Sequence, residues 1–186
     1  ATMALYRHVT DRDDLVLRML DTALGEWEAP AHPPEGWRAR SEGAARALWV
    51  LFRRHPWLAP AMSVTRPQPL AGALAYSEWQ LAALHTTGAD EATVFTAYLT
   101  LFNYVRGTAV NLEPEAEAEA TSGLNTDEWM DTQAPALRAI VAGGGFPRME
   151  RLLSTPYDFD LDVLFEFGLQ RLLDGLAVVL DGAATP

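Results

Sequence analysis

The residues best suited to do chemistry are the carboxylates of the segment DRDD, which places Asp11, Asp13 and Asp14 within four positions. Grouped carboxylates hold magnesium in some all-helical synthases, because hard cations prefer oxygen ligands. That chemistry needs a second acidic motif on a facing helix, and the sequence offers none to complete the group. Acidic residues are also favourable in the first turn of a helix. The segment therefore favours a helix start over a metal site.

Other catalytic patterns are missing from the sequence. The four histidines are scattered without the spacing of metal ligands: His8, His32, His55 and His85. Cysteine is absent, which excludes disulfides, thiol catalysis and cysteine–zinc sites. No Ser-His-Asp arrangement or glycine-rich phosphate loop is evident. We therefore predict that the protein is not an enzyme and that it holds no metal and no cofactor.

The composition is that of a globular domain. The 186 residues are 49% apolar, which is ample for a single core of this size. The net charge of -11 would repel nucleic acid if it were spread evenly, but seven acidic residues and no arginine lie within 111–131. No run of about 18 apolar residues occurs, and no basic, apolar leader begins the sequence. We therefore expect a cytoplasmic protein without a membrane span.

The apolar periodicity predicts an all-α protein. Asp11 is the expected cap of a helix that runs to Trp27, and the segment PAHPPEG ends it. Further helices are predicted over about 37–54, 56–62, 69–87, 90–111, 126–142, 148–153 and 160–180. The segment EPEAEAEATSG is acidic and low in complexity, which predicts a solvated or mobile linker.

Two of the predicted helices are apolar on nearly every side. In the segments 93–110 and 160–180, apolar side chains occupy adjacent helix faces rather than one stripe. Such a helix must be covered on both sides, and a second subunit can supply one of the covers. Gly168 and Gly175 lie near one face of the second helix and would allow a partner helix to approach closely. We predict a homodimer through both segments; the alternative is a buried core helix within one chain.

The opening segment, ALYRHVTDRDDLVLRMLDTAL, resembles the recognition helix and linker helix of the tetracycline-repressor (TetR) family of transcription factors. HPWLAPAMSVTRP is similar to that family's ligand-gate helix and Thr-Arg-Pro turn, and LFNYVRGTAVNLE and FEFGLQRLLDGL are similar to its two dimer helices. The resemblance implies that residues 1–10 end a helix-turn-helix head whose first two helices precede this numbering. It also implies that 11–186 form a ligand-binding and dimerisation domain.

The resemblance implies contact with double-stranded operator DNA. A recognition helix enters the major groove by its N-terminal end. Three of the implied residues would face base edges and three would donate to phosphates, which fixes register rather than sequence. The first three are Thr2, Met3 and Arg7, and the second three are Tyr6, His8 and Arg12. Arg7 can form a bidentate pair with guanine.

A small-molecule effector is implied in the same way, in a pocket between the linker helix 11–29 and the helices over 69–86 and 93–110. By position, its lining would include Glu28, Met62, Arg66, Gln80, Phe95, Tyr98, Phe102 and Asn103. Tetracycline repressors hold a chelated metal through a histidine at the position of Met62, and a thioether is a poor ligand for a hard cation. We therefore expect a flat apolar or aromatic molecule rather than a tetracycline–metal complex. Its polar anchors would be Gln80, Asn103 and Arg66.

The function predicted from the sequence is a ligand-responsive, DNA-binding transcriptional regulator. It would act as a repressor that a small apolar or aromatic molecule releases from its operator. A ligand that favours one state of a dimer shifts the population toward that state. The linker helix would transmit this change. A helical small-molecule-binding or adaptor domain without DNA binding is the alternative.

Overall fold

The computed structural model describes residues 9–155 and 159–182, and these residues form nine α-helices. The helices are α1 (Arg12–Leu24), α2 (Trp37–Arg54), α3 (Leu58–Ala61), α4 (Ala71–His85), α5 (Glu91–Ala109), α6 (Leu112–Ser122), α7 (Thr126–Ala142), α8 (Pro147–Leu153) and α9 (Leu161–Leu180). The all-α prediction is confirmed. No helix within the described ranges is long and apolar enough to cross a membrane.

Four of the helices begin at side chains that accept hydrogen bonds from their first turn, as N-cap residues do. Asp11 accepts from the Asp14 amide at 2.8 Å, and Asp90 accepts from the Thr93 amide at 2.7 Å. Asp160 accepts from two amides of α9, and Asn125 forms a reciprocal capping box with Glu128 at the start of α7. The predicted cap Asp11 is therefore confirmed.

The linker helix α1 is shorter than the sequence predicts. It ends at Leu24 rather than Trp27, because the chain tightens into a turn there. The amides of Glu26 and Trp27 donate to the carbonyls three residues earlier, those of Ala23 and Leu24. The turn directs the Trp27 indole against Tyr76 of α4, with 5.4 Å between the ring centroids.

The acidic segment 113–123 is helical, so the prediction of a mobile linker is wrong. Alanine and glutamate are both good helix formers, and Pro114 lies in the first turn of α6, where its missing amide costs no helical bond. Gly123 ends the helix with a φ of 73°, a left-handed conformation that glycine adopts without a steric cost. The Thr126 hydroxyl then donates to the Glu115 carboxylate, which joins α6 to the start of α7.

The core is built around α5, which packs against α2, α3, α4 and α9, while α1 packs against α4 and α3. One face of α2 is buried, from Ala44 and Ala45 through Leu48 to Leu51 and Phe52. The hairpin of α7 and α8 differs, because these helices pack mainly on each other and contain no fully buried residue.

A row of polar contacts joins α2 to α9. The indoles of Trp37 and Trp49 donate to Asp181 and Asp162, at 2.8 Å and 2.6 Å, near the two ends of α9. Between them, Arg46 makes two hydrogen bonds to the Glu166 carboxylate, at 3.0 Å and 2.6 Å. These contacts hold α2 and α9 antiparallel along their lengths.

Candidate ligand-binding site

Gln80 is the buried polar residue at the centre of the candidate site. Its side chain is 1% exposed, on the side of α4 that faces the core. Among the described residues, nothing donates a hydrogen bond to its Oε1 atom. A buried acceptor without a donor costs about 1–3 kcal/mol. Gln80 is therefore the side chain in this region with the most to gain from a bound hydrogen-bond donor.

A second polar contact lies one turn away. Ser77 donates to the carbonyl of Ala73 at 2.7 Å, so its oxygen is left to accept the Tyr98 hydroxyl at 2.6 Å. This bond joins α4 to α5. Burial raises the pKa of Tyr98, and the hydrogen bond with Ser77 opposes that shift. The phenol therefore stays neutral and acts as a donor at neutral pH.

Aromatic side chains of this region form two groups. On α5, the rings of Phe95, Tyr98 and Phe102 follow one another with centroids 6.0 Å and 6.3 Å apart. In the second group, Trp27 meets Tyr76 and Trp79 edge to face, with the Trp79 centroid at 5.9 Å. Offset and edge-to-face rings are the arrangement that aromatic ligands also adopt with aromatic walls.

Met62 is the C-cap residue of α3 and lies near this region. Its side chain is buried within the core, and its carbonyl oxygen accepts a hydrogen bond from Nε of Arg106 at 2.9 Å. The turn that follows is held locally, because the Arg66 amide donates to the Ser63 hydroxyl at 3.1 Å. The Arg66 side chain itself is exposed.

The structure brings together some of the sequence-predicted ligand residues and separates others. Gln80, Tyr98 and Met62 are buried and Phe102 is partly buried, whereas Glu28, Arg66, Phe95 and Asn103 are exposed. The expected polar trio of Gln80, Asn103 and Arg66 is therefore not assembled within one chain. Asn103 is two positions from buried Leu101, about 200° around the helix, so it faces away from the core. Phe95 is 51% exposed for a similar reason, since its side chain points to a different side of the helix from that of its buried neighbour Val94.

Sequence reasoning missed the role of Tyr76, Trp27 and Arg106. Tyr76 could have been found, because it lies four positions before Gln80 and therefore shares its side of the helix. Trp27 could not, since it enters the site only through the early end of α1. The residues around Arg106 in the sequence do not indicate that its partner is a backbone carbonyl 44 positions earlier.

Two open grooves lie on the surface of the described residues, and both are outside the expected pocket. One, of about 390 Å³, runs between α5 and α9 and is lined by Thr96, Thr100, Leu176, Val179 and Leu180, among others. The other, of about 290 Å³, lies beside α1 and is lined by Met19, Thr22, Glu26, His55 and Trp57, among others.

The last helix, α9, has two apolar faces, as the sequence predicts. Phe165, Leu169 and Leu173 are buried in the chain's own core, while Phe167 and Val178 are exposed. The prediction for the glycines needs correction. A side chain at Gly168 would meet Tyr104 of the same chain, with Cβ 2.7 Å from the ring carbon Cζ, because the Tyr104 hydroxyl donates to the Phe165 carbonyl at 2.7 Å. Gly175 has open space around it and remains a candidate for a partner's approach.

The predicted DNA-contacting residues lie almost entirely outside the described ranges: Thr2, Met3, Tyr6, Arg7 and His8. Arg12 is described and is the exposed first residue of α1.

The acidic residues near Arg12 act within the chain. Asp14 accepts from the Thr10 amide at 2.9 Å and pairs with Arg18 at 3.0 Å, and the Arg18 bond is the main reason that its pKa is lowered. No group of three or more His, Cys, Asp or Glu in the described part of the chain is placed to hold a metal ion.

Comparison with known proteins gives a consistent family. The family model described as "Tetracyclin repressor-like, C-terminal domain" matches residues 29–180. The chain is 36% identical over 182 residues to the HTH-type transcriptional repressor DrrR1 of Streptomyces coeruleorubidus, covering 96% of this chain and 66% of that protein. It is also 36% identical over 174 residues to an HTH-type transcriptional regulator of Saccharopolyspora erythraea, covering 94% of this chain and 70% of that protein. The chain thus spans about two thirds of the length of these relatives.

Solved structures show the same fold. The TetR family protein ActR of Streptomyces coelicolor, in complex with actinorhodin, superposes with a TM-score of 0.71 at 24% identity, covering all of this chain and 83% of ActR. A possible TetR family regulator from the same species gives a TM-score of 0.71 at 25% identity, covering 96% of this chain and 84% of that one. The family and both named relatives are transcriptional regulators and not enzymes, which confirms the resemblance read from the sequence. The chain belongs to the tetracycline-repressor family of transcriptional regulators, and residues 29–180 are that family's C-terminal domain.

Proposed function

We propose that this chain is the effector-binding and dimer-forming part of a repressor that leaves its operator when a flat aromatic molecule binds. The observation that carries the proposal is Gln80, a buried amide of α4 whose oxygen lacks a donor among the described residues. Tyr76 and Trp79 of the same helix contact Trp27. The names of the relatives support the regulatory part, because one is a repressor and another a regulator.

The proposed effector is an aromatic molecule with a hydroxyl group. Its hydroxyl would donate to Gln80 Oε1 and its ring system would lie against Tyr98 and Phe102. ActR, which shares the fold, is known in complex with actinorhodin, and this supports a similar class of molecule here. A metal-chelated drug is disfavoured, because Met62 offers a thioether where a hard cation needs oxygen or nitrogen.

The proposed assembly is a homodimer through 93–110 and 160–180. The exposed apolar face of α9, which includes Val163, Leu164, Phe167, Val178 and Val179, would pack against the same face of a second copy. The groove between α5 and α9 is lined in part by Val179 of this face and would receive partner side chains. Exposed apolar surface is typical of protein interfaces.

The proposed DNA contacts are those that the family resemblance implies for Thr2, Met3, Tyr6, Arg7, His8 and Arg12 of the recognition helix. Two such helices in a dimer must lie about 34–36 Å apart to enter successive major grooves. An effector that binds better to a state with a different separation would draw the dimer off the operator. The exposed position of Arg12 at the start of α1 is compatible with a phosphate contact.

The test of the effector site is the variant Gln80→Leu, with actinorhodin as the probe. Leucine has a similar volume and removes the unpaired oxygen, so the variant should fold with equal or higher stability. In the parent chain, actinorhodin should raise the melting temperature by mass action. In Gln80→Leu, its dissociation constant should rise about tenfold, as the loss of one hydrogen bond predicts.

Gln133→Leu on the α7–α8 hairpin is the matched control and should bind actinorhodin like the parent chain. Magnesium with tetracycline should give no shift in melting temperature. Equal binding of actinorhodin by the parent chain and Gln80→Leu would show that Gln80 is not the anchor. A magnesium-dependent shift with tetracycline would contradict the proposed ligand class.

A further inference from the structure

One hydrogen bond ties the short helix α3 to the central helix. Arg106, in the last turn of α5, donates from Nε to the carbonyl oxygen of Met62 at 2.9 Å. Met62 is the residue that ends α3, with an extended backbone at φ -90° and ψ 148°. The negative end of a helix faces its C-terminus, so a cationic donor is well placed there.

The helix α3, which this bond holds, is too short to be stable by itself. Leu58–Ala61 is a single turn, and its closing amide contacts are long: 3.3 Å from Ala61 to Trp57 and 3.4 Å from Met62 to Ala59. A helix of one turn has no stability of its own in water. Its placement therefore depends on tertiary contacts, among which the bond from Arg106 is the one that fixes its C-terminal carbonyl.

The same short helix also contacts the linker helix. It packs against both α1 and α5; Trp57 is its N-cap and Leu58 its first residue. Trp57 shares a groove with Met19 and Ala23 of α1, while Leu58 is fully buried. A displacement of α3 would therefore also displace α1, the helix that follows the recognition segment.

We propose that Arg106 is a positioning residue that sets the place of the linker helix α1 by holding α3 against α5. This deepens the proposed function, because it names the contact through which the effector site and the linker helix are coupled. Met62 supplies the carbonyl, its side chain belongs to the candidate effector site, and Arg106 belongs to the proposed dimer helix. An effector that moves Met62 would alter this bond and, through α3, the position of α1.

The test measures amide hydrogen exchange in the 186-residue chain without effector or DNA. Arg106→Met keeps the apolar stem and removes the donors. Exchange should become about tenfold faster in α3 and in residues 16–22 of α1, the factor expected from losing one hydrogen bond to a charged donor. Exchange in α9 should stay within about twofold of the parent, since local opening of this kind is confined to the affected unit.

Arg40→Met is the matched control, because Arg40 makes the same kind of bond from Nε to a backbone carbonyl, that of Pro34, at 3.0 Å. It should leave exchange in α1 and α3 unchanged. Arg106→Lys keeps a cation that can donate to the carbonyl. Amide exchange in α1 and α3 of this variant should therefore be close to the parent rate, because the hydrogen bond is retained.

Faster exchange in α3 alone would overturn the proposal, since Arg106 would then hold only its immediate neighbour. Uniformly faster exchange in every helix would also overturn it, because the residue would then serve general stability. Either result would leave the role of Gln80 intact, as the actinorhodin measurement does not involve Arg106. Conversely, equal actinorhodin binding by the parent chain and Gln80→Leu would contradict the proposed effector site without changing the exchange result.

Discussion

Arg46 and Glu166 form the most extensively bonded ion pair between α2 and α9. Arg46 makes two hydrogen bonds to the Glu166 carboxylate, and Gln170 donates to the same carboxylate at 2.9 Å. The bond from Arg46 is the main cause of a lowered pKa at Glu166, and the bond from Gln170 is the next. The carboxylate is partly exposed, so its contribution to stability is screened by solvent.

The lowered pKa predicts how the stability of this seam depends on pH. An unfolded glutamate titrates near pH 4.3, about its ordinary value, and the folded Glu166 titrates below it. The stabilisation is therefore present above that pH and is lost as the pH falls through the folded pKa. Glu166→Gln should lower the free energy of unfolding at pH 7 and should flatten its decline at acidic pH.

The measurement is urea unfolding of the parent chain and Glu166→Gln at a series of pH values from neutral to acidic. Glu117→Gln, on the exposed side of α6, is the control and should follow the parent curve. Parallel curves for the parent and Glu166→Gln would show that Glu166 contributes nothing to the acid dependence.

The helices α1 and α4 make a close backbone contact at Gly72. A Cβ added to Gly72 would lie 2.8 Å from the backbone carbon of Leu24, so only glycine fits the crossing as it stands. The Gly72 amide also donates to the Asp21 carboxylate at 3.3 Å. The C-terminal end of the linker helix is thus held against the start of α4 at one point.

Gly72→Ala should therefore force the two helices apart. Overpacking of this kind costs about 1–3 kcal/mol, and the loss should appear in the free energy of unfolding measured in urea. Gly43→Ala in α2 is the matched control, because a Cβ there meets nothing within 4 Å. It should stabilise the chain by about 0.5–1 kcal/mol, since alanine is the better helix former. Equal effects at the two glycines would contradict the close contact.

At the scale of the whole molecule, the chain leaves a large apolar surface uncovered. Val178 on α9 is 79% exposed, and it continues the face that includes Phe167. The α7–α8 hairpin adds further exposed apolar side chains, among them Trp129 and Phe146. A second copy is the proposed cover for the face of α9.

Val178→Arg should therefore convert the dimer to a monomer, because it places a charge on the exposed apolar face of α9 that forms the proposed interface. Light scattering at micromolar concentration would measure the mass of the assembly. Val50→Arg, at an apolar residue of α2 that is 56% exposed, is the control and should leave the mass unchanged. Gly175→Arg should act like Val178→Arg, whereas Gly168→Arg would also disturb Tyr104 and is not a clean test. A monomeric parent chain would contradict the proposed assembly.

The sequence alone determined most of the helices, the cap Asp11 and the family. The helices and this cap depend on residues a few positions apart, such as Asp11 with Asp14, so local physics decides them. The two-faced character of α9 was also readable, because both of its faces are apolar. The helical state of 113–122 runs against the low-complexity pattern, because alanine and glutamate are good helix formers.

Only the tertiary structure decided which predicted ligand residues come together. Gln80 and Asn103 look alike in sequence, since both are amides on long helices, yet one is buried and the other faces solvent. The difference arises because the side of a helix that is covered depends on the neighbouring helices, not on its own residues. The same reason applies to Gly168, which accommodates Tyr104 of its own chain, and to Arg106, whose partner is a carbonyl at the end of another helix.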